Sequence, residues 1–412
     1  MNQQEIEKQL KDGYDQLPYP GIDSNINPAA IWSWVNLNWI GSLLPFTFNE
    51  SPPFERILIA ACGTGNEAFQ MRNSFPDAEI VAVDYSEQAI RIAEAYQKEH
   101  PEYADIKFEV GDLTVFKGEW AKSGYYDFIS CHGTMSSIPN TQKAFDVLAE
   151  SLSDTGVLYL GVNGSTHYGL AIRESFQYFG HNPTHFKDTI ETRRLMELFD
   201  RLHPKQEHIS SYTSTYLKSD ILTAFSLNLS LPEWIDYANK SGLHFISNTE
   251  LIPNLIKTLS PSIFPLLMPR SRESICKLIE INTTSGFHRI VFSKQPEPAL
   301  PWNNLEALLD CDCQTTQLFF VQDAVSELYG EHILTTNMMP GHDVNLRWPV
   351  DAVSKKLLSQ QSNSARIKDV LADHLDEFKD DNQILIVKLF MFYQLGIIKI
   401  LPNASSTETD KA

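Results

Sequence analysis

Arg56-Ile57-Leu58-Ile59-Ala60-Ala61-Cys62-Gly63-Thr64-Gly65-Asn66-Glu67 decides the reading of this chain. Its apolar run, Ile57 to Ala61, is short and rich in β-branched residues, as expected of a strand buried on both faces of a parallel sheet. The run breaks at Gly63 and Gly65, and apolar positions at helical spacing (Ala68, Met71, Phe75) follow. A strand, a tight glycine turn and a helix start together make a cradle for a small anionic or polar ligand. Glycine lets the backbone come close, and the first N–H groups of a helix lack partners within it. A second apolar strand, Ile80-Val81-Ala82-Val83, ends in Asp84, whose carboxylate can accept both hydroxyls of a ribose. The stretch is therefore read as a nucleoside-cofactor site.

Gly63-Thr64-Gly65-Asn66-Glu67-Ala68 fits the G-x-G-x-x-G/A pattern of dinucleotide sites, so a nicotinamide-dependent oxidoreductase is one reading. Two further stretches favour S-adenosylmethionine. Ile106-Lys107-Phe108-Glu109-Val110 ends in Gly111-Asp112-Leu113, where an acid can accept a hydrogen bond from an adenine amine. Tyr126-Asp127-Phe128-Ile129-Ser130-Cys131 leads into Gly133-Thr134-Met135 and then Ile138-Pro139-Asn140. Ala-Cys-Gly-Thr-Gly, the strand ending in Asp84, the Gly111-Asp112 pair and Tyr-Asp-Phe-Ile-x-Cys-x-Gly together resemble class I S-adenosylmethionine-dependent methyltransferases. The nearest pattern is a bacterial subgroup whose loop reads Ala-Gly-Cys-Gly-Thr-Gly, related to bacterial protein lysine methyltransferases with a C-terminal regulatory domain. Two departures stand out: Ile59 where an acid is usual, and Ala61 in place of the first glycine.

The resemblance implies that Ala61, Gly63 and Gly65 face the methionine part of S-adenosylmethionine. Asp84 would hold the ribose, and Asp112 with Leu113 the adenine. Cys62, Tyr85, Gly111, His132 and Gly133 complete the expected cofactor-binding set. His132, just past the fourth strand, is the candidate catalytic residue, since an imidazole titrates near neutrality; a packed histidine is the alternative. No metal site is expected. The five cysteines (Cys62, Cys131, Cys276, Cys311, Cys313) show no zinc spacing, and the histidines His167, His181, His185, His203 and His208 match no metal motif.

At 412 residues the chain can form two or three domains. Its 52 acidic and 33 basic residues give a formal net charge of −19, which repels nucleic acid phosphates and disfavours a general nucleic-acid-binding role. Met1-Asn2-Gln3-Gln4-Glu5 is no basic start to a signal peptide, so a cytoplasmic location is expected. Ile384 to Leu401 is apolar, but it contains Lys388, Gln394, Gly396 and Lys399. It reads as a buried helix ending near Gly396, followed by a strand, rather than as a membrane span.

In chain order, residues 1–50 are expected to be an arm or lid. Tyr14-Asp15-Gln16-Leu17-Pro18-Tyr19-Pro20-Gly21 is turn-rich, and a helix near 28–40 carries Trp32, Trp34 and Trp39. Residues 51–295 read as a doubly wound, seven-stranded, Rossmann-like methyltransferase sheet of α/β class. Strands are expected near 57–61, 79–84, 106–110, 125–131 and 156–162, the last introduced by a Ser153-Asp154-Thr155 turn. His244–Ser247 and Phe287–Phe292 form a closing antiparallel pair. The block 164–240 is expected to be a helical cap over the substrate entrance. After the proline-rich linker Gln295–Pro301, residues 302–402 are read as a mainly helical, winged-helix-like domain with helices near 303–309, 316–328, 350–360, 366–378 and 382–395. It has no basic recognition helix, so a regulatory or protein-contact role is preferred to DNA reading. Residues 403–412 read as a disordered tail. The methyl acceptor is a protein, in particular a lysine, or else a small molecule. A regulatory protein that binds S-adenosylmethionine without turnover is a further alternative, and the oligomeric state is open.

Overall fold

The computed structural model of the chain describes residues 3–19, 26, 40, 44, 54–183, 187–203, 208–249, 264–268, 270–283, 286–316, 319–322, 332–339, 342–348, 352–358, 364–378 and 382–402. The expected tryptophan helix at 28–40 and the tail at 403–412 lie outside or almost wholly outside these residues. The chain divides into two compact units. One comprises residues 1–31, 54–244 and 283–294, and the other residues 32–53, 245–282 and 295–412.

The first unit opens with helix α1 (Gln3–Gln16), which buries Leu10 and sets Ile6, Leu10 and Tyr14 at spacings of four. Strand β1 (Arg56–Ala60) follows, buried from Ile57 onward, then α2 (Asn66–Ser74), β2 (Glu79–Asp84) and α3 (Glu87–Glu99). Helix α3 forms as its sequence predicts: Ser86 caps it by accepting the N–H of Ala89 at 3.1 Å, and Ala89, Ile90 and Ala93 are buried. Next come β3 (Lys107–Val110), β4 (Tyr126–His132), α4 (Thr141–Ser151) and β5 (Leu152–Asn163). The cap supplies α5 (Tyr168–Tyr178), α6 (Ile190–Leu202) and α7 (Leu231–Lys240), so the block 164–240 is helical as expected. Thr189 and Thr192 form a capping box on α6, and Ser230 and Glu233 one on α7.

Strand β6 (His244–Asn248), helix α8 (Arg272–Asn282) and β7 (Phe287–Ser293) complete the sheet region. The strand order is β3-β2-β1-β4-β5-β7-β6. Strands β1 to β5 run parallel, and β7 pairs with β5 antiparallel, from Val157 opposite Ser293 to Asn163 opposite Phe287. The expected seven-stranded α/β sheet is thus present. One detail differs: Ser153-Asp154-Thr155 is no free turn but belongs to β5. The register slips between Tyr126 (opposite Leu152) and Phe128 (opposite Val157), so these residues are taken up as a bulge at the start of the strand.

The second unit corrects the mainly helical expectation. Strand β8 (Asp312–Thr315) stands where no element was expected, and β9 (Phe319–Gln322) replaces most of the described part of the helix expected over 316–328. A hairpin, β10 (His332–Met339) with β11 (His342–Trp348), stands where no element was expected. With β12 (Ala365–Arg366) and β13 (Ile398–Leu401) these strands make two three-stranded sheets, β11-β10-β9 and β12-β8-β13. The alternation in Asp312-Cys313-Gln314-Thr315, with Cys313 and Thr315 buried, explains β8. The buried helix was read correctly as α9 (Asn382–Gln394). It ends in a Schellman motif: the N–H of Ile397 reaches the carbonyl of Phe392 at 2.8 Å, that of Gly396 reaches Tyr393 at 3.0 Å, and Gly396 has φ of 70°. No helix among the described residues is long and apolar enough to cross a membrane.

The chain passes into this unit at the linker, between Lys294 and Gln295, but the unit also takes in residues 245–282 from before it. Its core gathers Trp302, Leu308, Leu389, Phe390 and Ile398 together with Leu267 and Ile275 from before the linker. Arg272 at the start of α8 is buried; its guanidinium donates to the carbonyls of Tyr393 (3.1 Å) and Ile246 (3.3 Å) and lies 5.1 Å from the Tyr393 ring. The hydroxyl of Tyr393 in turn donates to Glu297 at 2.8 Å.

Candidate active site

Strand β1 stops because Ala61 turns the chain into a left-handed conformation, with φ of 63°. A side chain disfavours that region, which is why glycine usually stands there. Gly63 (φ 53°) and Gly65 (φ 92°) continue the turn. Each glycine has a distinct reason. A Cβ on Gly63 would lie 2.6 Å from the carbonyl oxygen of Tyr19, and one on Gly65 would lie 3.0 Å from Ala93 and Phe69. Gly65 caps α2 with no side-chain hydrogen bond.

The tip of β2 is locked to this turn. The two carboxylate oxygens of Asp84 accept the N–H groups of Gly63 and Ser86, each at 2.8 Å. The N–H of Cys62 reaches Val83 O at 2.9 Å, and that of Gly111, past β3, reaches Asp84 O at 2.9 Å. Burial raises the pKa of Asp84, the two N–H groups oppose it, and the nearby Asp15 adds to the rise. Past β3, Asp112 accepts from both the N–H and the hydroxyl of Thr114 at 2.8 Å, with Leu113 buried beside it. At Gly111 packing demands the glycine, since a Cβ would lie 2.5 Å from both Trp120 and Val83. Tyr85 is half-buried; burial and then Asp112, Glu7 and Asp15 push its hydroxyl pKa up.

The arm is hydrogen-bonded to this edge. The Tyr19 carbonyl accepts the N–H of Thr64 at 3.1 Å, Ser86 Oγ donates to Asp15 at 2.9 Å, and Asn140 donates to Glu7 at 2.9 Å. The sequence reading of the arm missed α1, whose Ile6, Leu10 and Tyr14 spacing was the available signal.

His132 is packed among aromatic rings. Its ring lies nearly parallel to that of Tyr159 with centroids 5.8 Å apart, its Nδ1 is 3.1 Å from the Tyr159 hydroxyl, and it packs on Phe287. Burial, helped by Arg289, pushes its pKa down to about 3, so it is neutral and only weakly basic at pH 7. The packed alternative fits this geometry. Its ring also explains Gly161, where a Cβ would lie 2.3 Å from His132 Nδ1. Gly133 beside it has φ of 76° with open space where a Cβ would be.

Glu67, absent from the expected set, sits in the first turn of α2 and accepts a hydrogen bond from Ser130 of β4. Burial lifts its pKa to about 7, with Ser130 opposing the shift. Burial also raises the thiols of Cys62 and Cys131, the latter to about 12. Among the described residues no His, Cys, Asp or Glu group could hold a metal ion.

The order of the sheet separates the two cofactor readings. An open dinucleotide sheet runs 3-2-1-4-5-6 with parallel strands, whereas here an antiparallel β7 is inserted between β5 and β6. A family profile described as "Methyltransferase domain" matches residues 55–200, which span the glycine turn, β2 to β5 and part of the cap. Residues 55–200 form a methyltransferase domain, and the chain is an S-adenosylmethionine-dependent methyltransferase. It is similar to an uncharacterized protein of Rickettsia prowazekii (strain Madrid E), with 23% identity over 255 residues, 57% of this chain and 97% of the relative. It is also similar to the malonyl-[acyl-carrier protein] O-methyltransferase of Bacillus cereus, 30% identical over 123 residues, 30% of this chain and 42% of the relative. Among solved structures, PKMT2 from Rickettsia typhi shares the fold, with a TM-score of 0.56 and 16% identity, covering 90% of this chain and 75% of that one. Its complex with AdoHcy covers 90% and 76%.

The residues of this methyltransferase fit its cofactor. The hydroxyl of Thr64, in the middle of the turn, is buried and has no partner among the described residues. A carboxylate stands at the tip of β2, and open space flanks Gly133.

Proposed function

We propose that the methyl acceptor is a protein, with a lysine amine as the nucleophile. The extent of the fold likeness carries this reading. It reaches 90% of the chain, well past residues 55–200, and the partner in that likeness is PKMT2. The sequence resemblance to bacterial protein lysine methyltransferases points the same way. A net charge of −19 suits a basic protein segment better than a nucleic acid. The five cysteines are all free and buried, which supports a reducing, cytoplasmic setting.

In this reading Ala61, Cys62, Gly63, Gly65 and the Thr64 hydroxyl hold the methionine part of the cofactor. Asp84 accepts the ribose hydroxyls on lone pairs left over from Gly63 and Ser86, beside Tyr85. Asp112 and Leu113 take the adenine, and Gly133 leaves room at the reacting end. When bound, S-adenosylmethionine supplies an electrophilic methyl: the amine lone pair forms the N–C bond, the C–S pair stays on sulfur, and the lysine proton is released. The arm and cap exclude water and align the amine, and such positioning supplies most of the acceleration. His132 packs against Tyr159.

The test is incubation of the full chain with methyl-labelled S-adenosylmethionine and a bacterial protein extract, with the labelled residue identified by mass spectrometry. Label on lysine is expected. Label confined to small molecules or to carboxyl groups would sink the reading.

A further inference from the structure

Beside the glycine turn lies a carboxyl to which the cofactor reading gives no task. Glu67 stands in the first turn of α2, and its side chain turns inward to β4, where one carboxyl oxygen accepts from the hydroxyl of Ser130. Ser130 pairs with Ile59 of β1, and side chains at paired positions leave the same face of a sheet. Ile59 is the position at which an acid is usual in the loop pattern this chain resembles. Helix α2 therefore brings a carboxyl to the place where β1 has none. Cys62, just past β1, and Cys131 of β4 both feel the Glu67 charge, so the carboxyl stands close to the tips of both strands.

A glutamate in a first helical turn commonly serves only the helix dipole, and for that it can point to water. Glu67 does the reverse. Burial lifts its pKa to about 7 against the Ser130 hydrogen bond, so its ionised form is costly without a cation. A carboxylate has about four lone-pair sites, and Ser130 occupies one. The second oxygen has no donor among the described residues and is not sealed from the surface. The thiols of Cys62 and Cys131 face Glu67 from β1 and β4, and burial keeps both protonated; no described Lys, Arg or His shifts it. In the same turn the buried Thr64 hydroxyl also lacks a partner among the described residues.

We infer that Glu67 is the counter-charge for the α-ammonium of the cofactor's methionine part, with Ser130 orienting its carboxyl. This rests on the placing of the methionine part at the glycine turn given above, and not on the identity of the acceptor. That part carries two cations, the ammonium and the sulfonium. Only the ammonium has N–H groups, so it alone can donate to the open oxygen. On binding, a protonated Glu67 gives its proton to solvent and the ion pair forms, while Asp84 and Asp112 serve the ribose and the adenine.

The test uses the full chain and two ligands, S-adenosylhomocysteine and 5′-S-(3-carboxypropyl)-5′-thioadenosine, which lacks only the α-amino group. Calorimetry at pH 7.5 should show S-adenosylhomocysteine binding about tenfold or more tighter, as expected of a charge-assisted hydrogen bond. Glu67→Gln, which keeps the shape and can still pair with Ser130, should reduce that ratio by about fivefold or more. Proton release separates this from a structural role. In the free chain Glu67, with its pKa of about 7, is mostly protonated at pH 6. Titrations at pH 6 in buffers of different ionisation enthalpy should show release of most of one proton with S-adenosylhomocysteine and clearly less with the amine-free ligand. The Gln variant should show no such difference. Asp84, whose pKa is also raised, meets the ribose of both ligands, so its protons cancel in the comparison. A ligand ratio or a proton difference that survives Glu67→Gln, or equal affinities in the unaltered chain, would overturn the assignment while the cofactor site stands. Failure of the unaltered chain to bind S-adenosylhomocysteine at all would overturn the cofactor placement, and this assignment with it.

Discussion

Ala61 shows what a single side chain costs in this turn. It holds φ of 63°, a region that costs a non-glycine residue about 1–2 kcal/mol. Glycine would remove that strain but add about 0.5–1 kcal/mol of unfolded-state entropy. Ala61→Gly should therefore raise the urea midpoint by a small amount, up to about 1 kcal/mol in stability, with the slope unchanged; a lower midpoint would mean that the Ala61 methyl makes compensating contacts. Glu67 carries a pH dependence. Its folded pKa of about 7 lies above the ordinary 4.5, so between these values the folded chain keeps a proton that the unfolded chain has lost. Its contribution to stability therefore falls as pH rises from 4.5 to 7, by roughly 3 kcal/mol, and is level above that. His132, with its pKa lowered to about 3, contributes the opposite slope between pH 3 and 6.5. Glu67→Gln should flatten the Glu67 component: relative to the unaltered chain, its melting temperature should gain steadily from pH 5 to 7.5. A constant difference across that range would show that Glu67 titrates normally. The turn and Asp84 were legible in the sequence because they lie within one short motif and its neighbouring strand tip. The Glu67–Ser130 bond was not, since it joins residues 63 apart in sequence and depends on how α2 sits over β4.

At the scale of elements, Ser86 joins a helix to the arm. Its hydroxyl accepts from Ala89 as the cap of α3 and donates toward Asp15 and the Tyr14 carbonyl. Ser86→Ala removes both roles. The lost cap alone should cost about 1 kcal/mol, visible as a lower melting temperature, and the backbone amides of residues 3–16 should exchange faster with deuterium as α1 loses its anchor. A stability loss with unaltered exchange in α1 would assign Ser86 to the helix alone. Strong local patterns made most elements here readable: β1 and β2 are buried apolar runs, α3 opens on Ser-Glu, and Ser230-x-x-Glu233 announces α7. Where the signals were weak the reading slipped. Ser153-Asp154-Thr155 looks like a turn, yet the pairing of β4 with β5 on either side forces it into a bulge. Phe319-Phe320-Val321-Gln322 is a short apolar stretch that helix and strand accommodate equally, and pairing with β10 made it a strand.

For the whole molecule, the proline-rich linker marks one of several crossings between the two units. Pro296 to Pro301 marks a break in composition, but the core beyond it includes Leu267 and Ile275, which precede it. Composition reveals where a chain is irregular; it does not reveal which distant segments share a core. A chain ending at Lys294 would leave Leu267 and Ile275 without Leu308, Leu389 and Phe390, and Arg272 without the Tyr393 carbonyl and ring. Each large apolar side chain stripped of its partners forfeits about 1.5–3 kcal/mol, and a buried guanidinium without its acceptor costs more. Residues 264–282 should then be unable to keep their native packing. The shortened chain is expected to aggregate or to lose protection from proteolysis between Phe264 and Asn282, while the glycine turn and Asp84, which belong to the other unit, keep their local bonds. Size-exclusion chromatography with limited proteolysis reads this out directly. A monodisperse shortened chain that resists cleavage in α8 would show that the segment is held without its C-terminal partners.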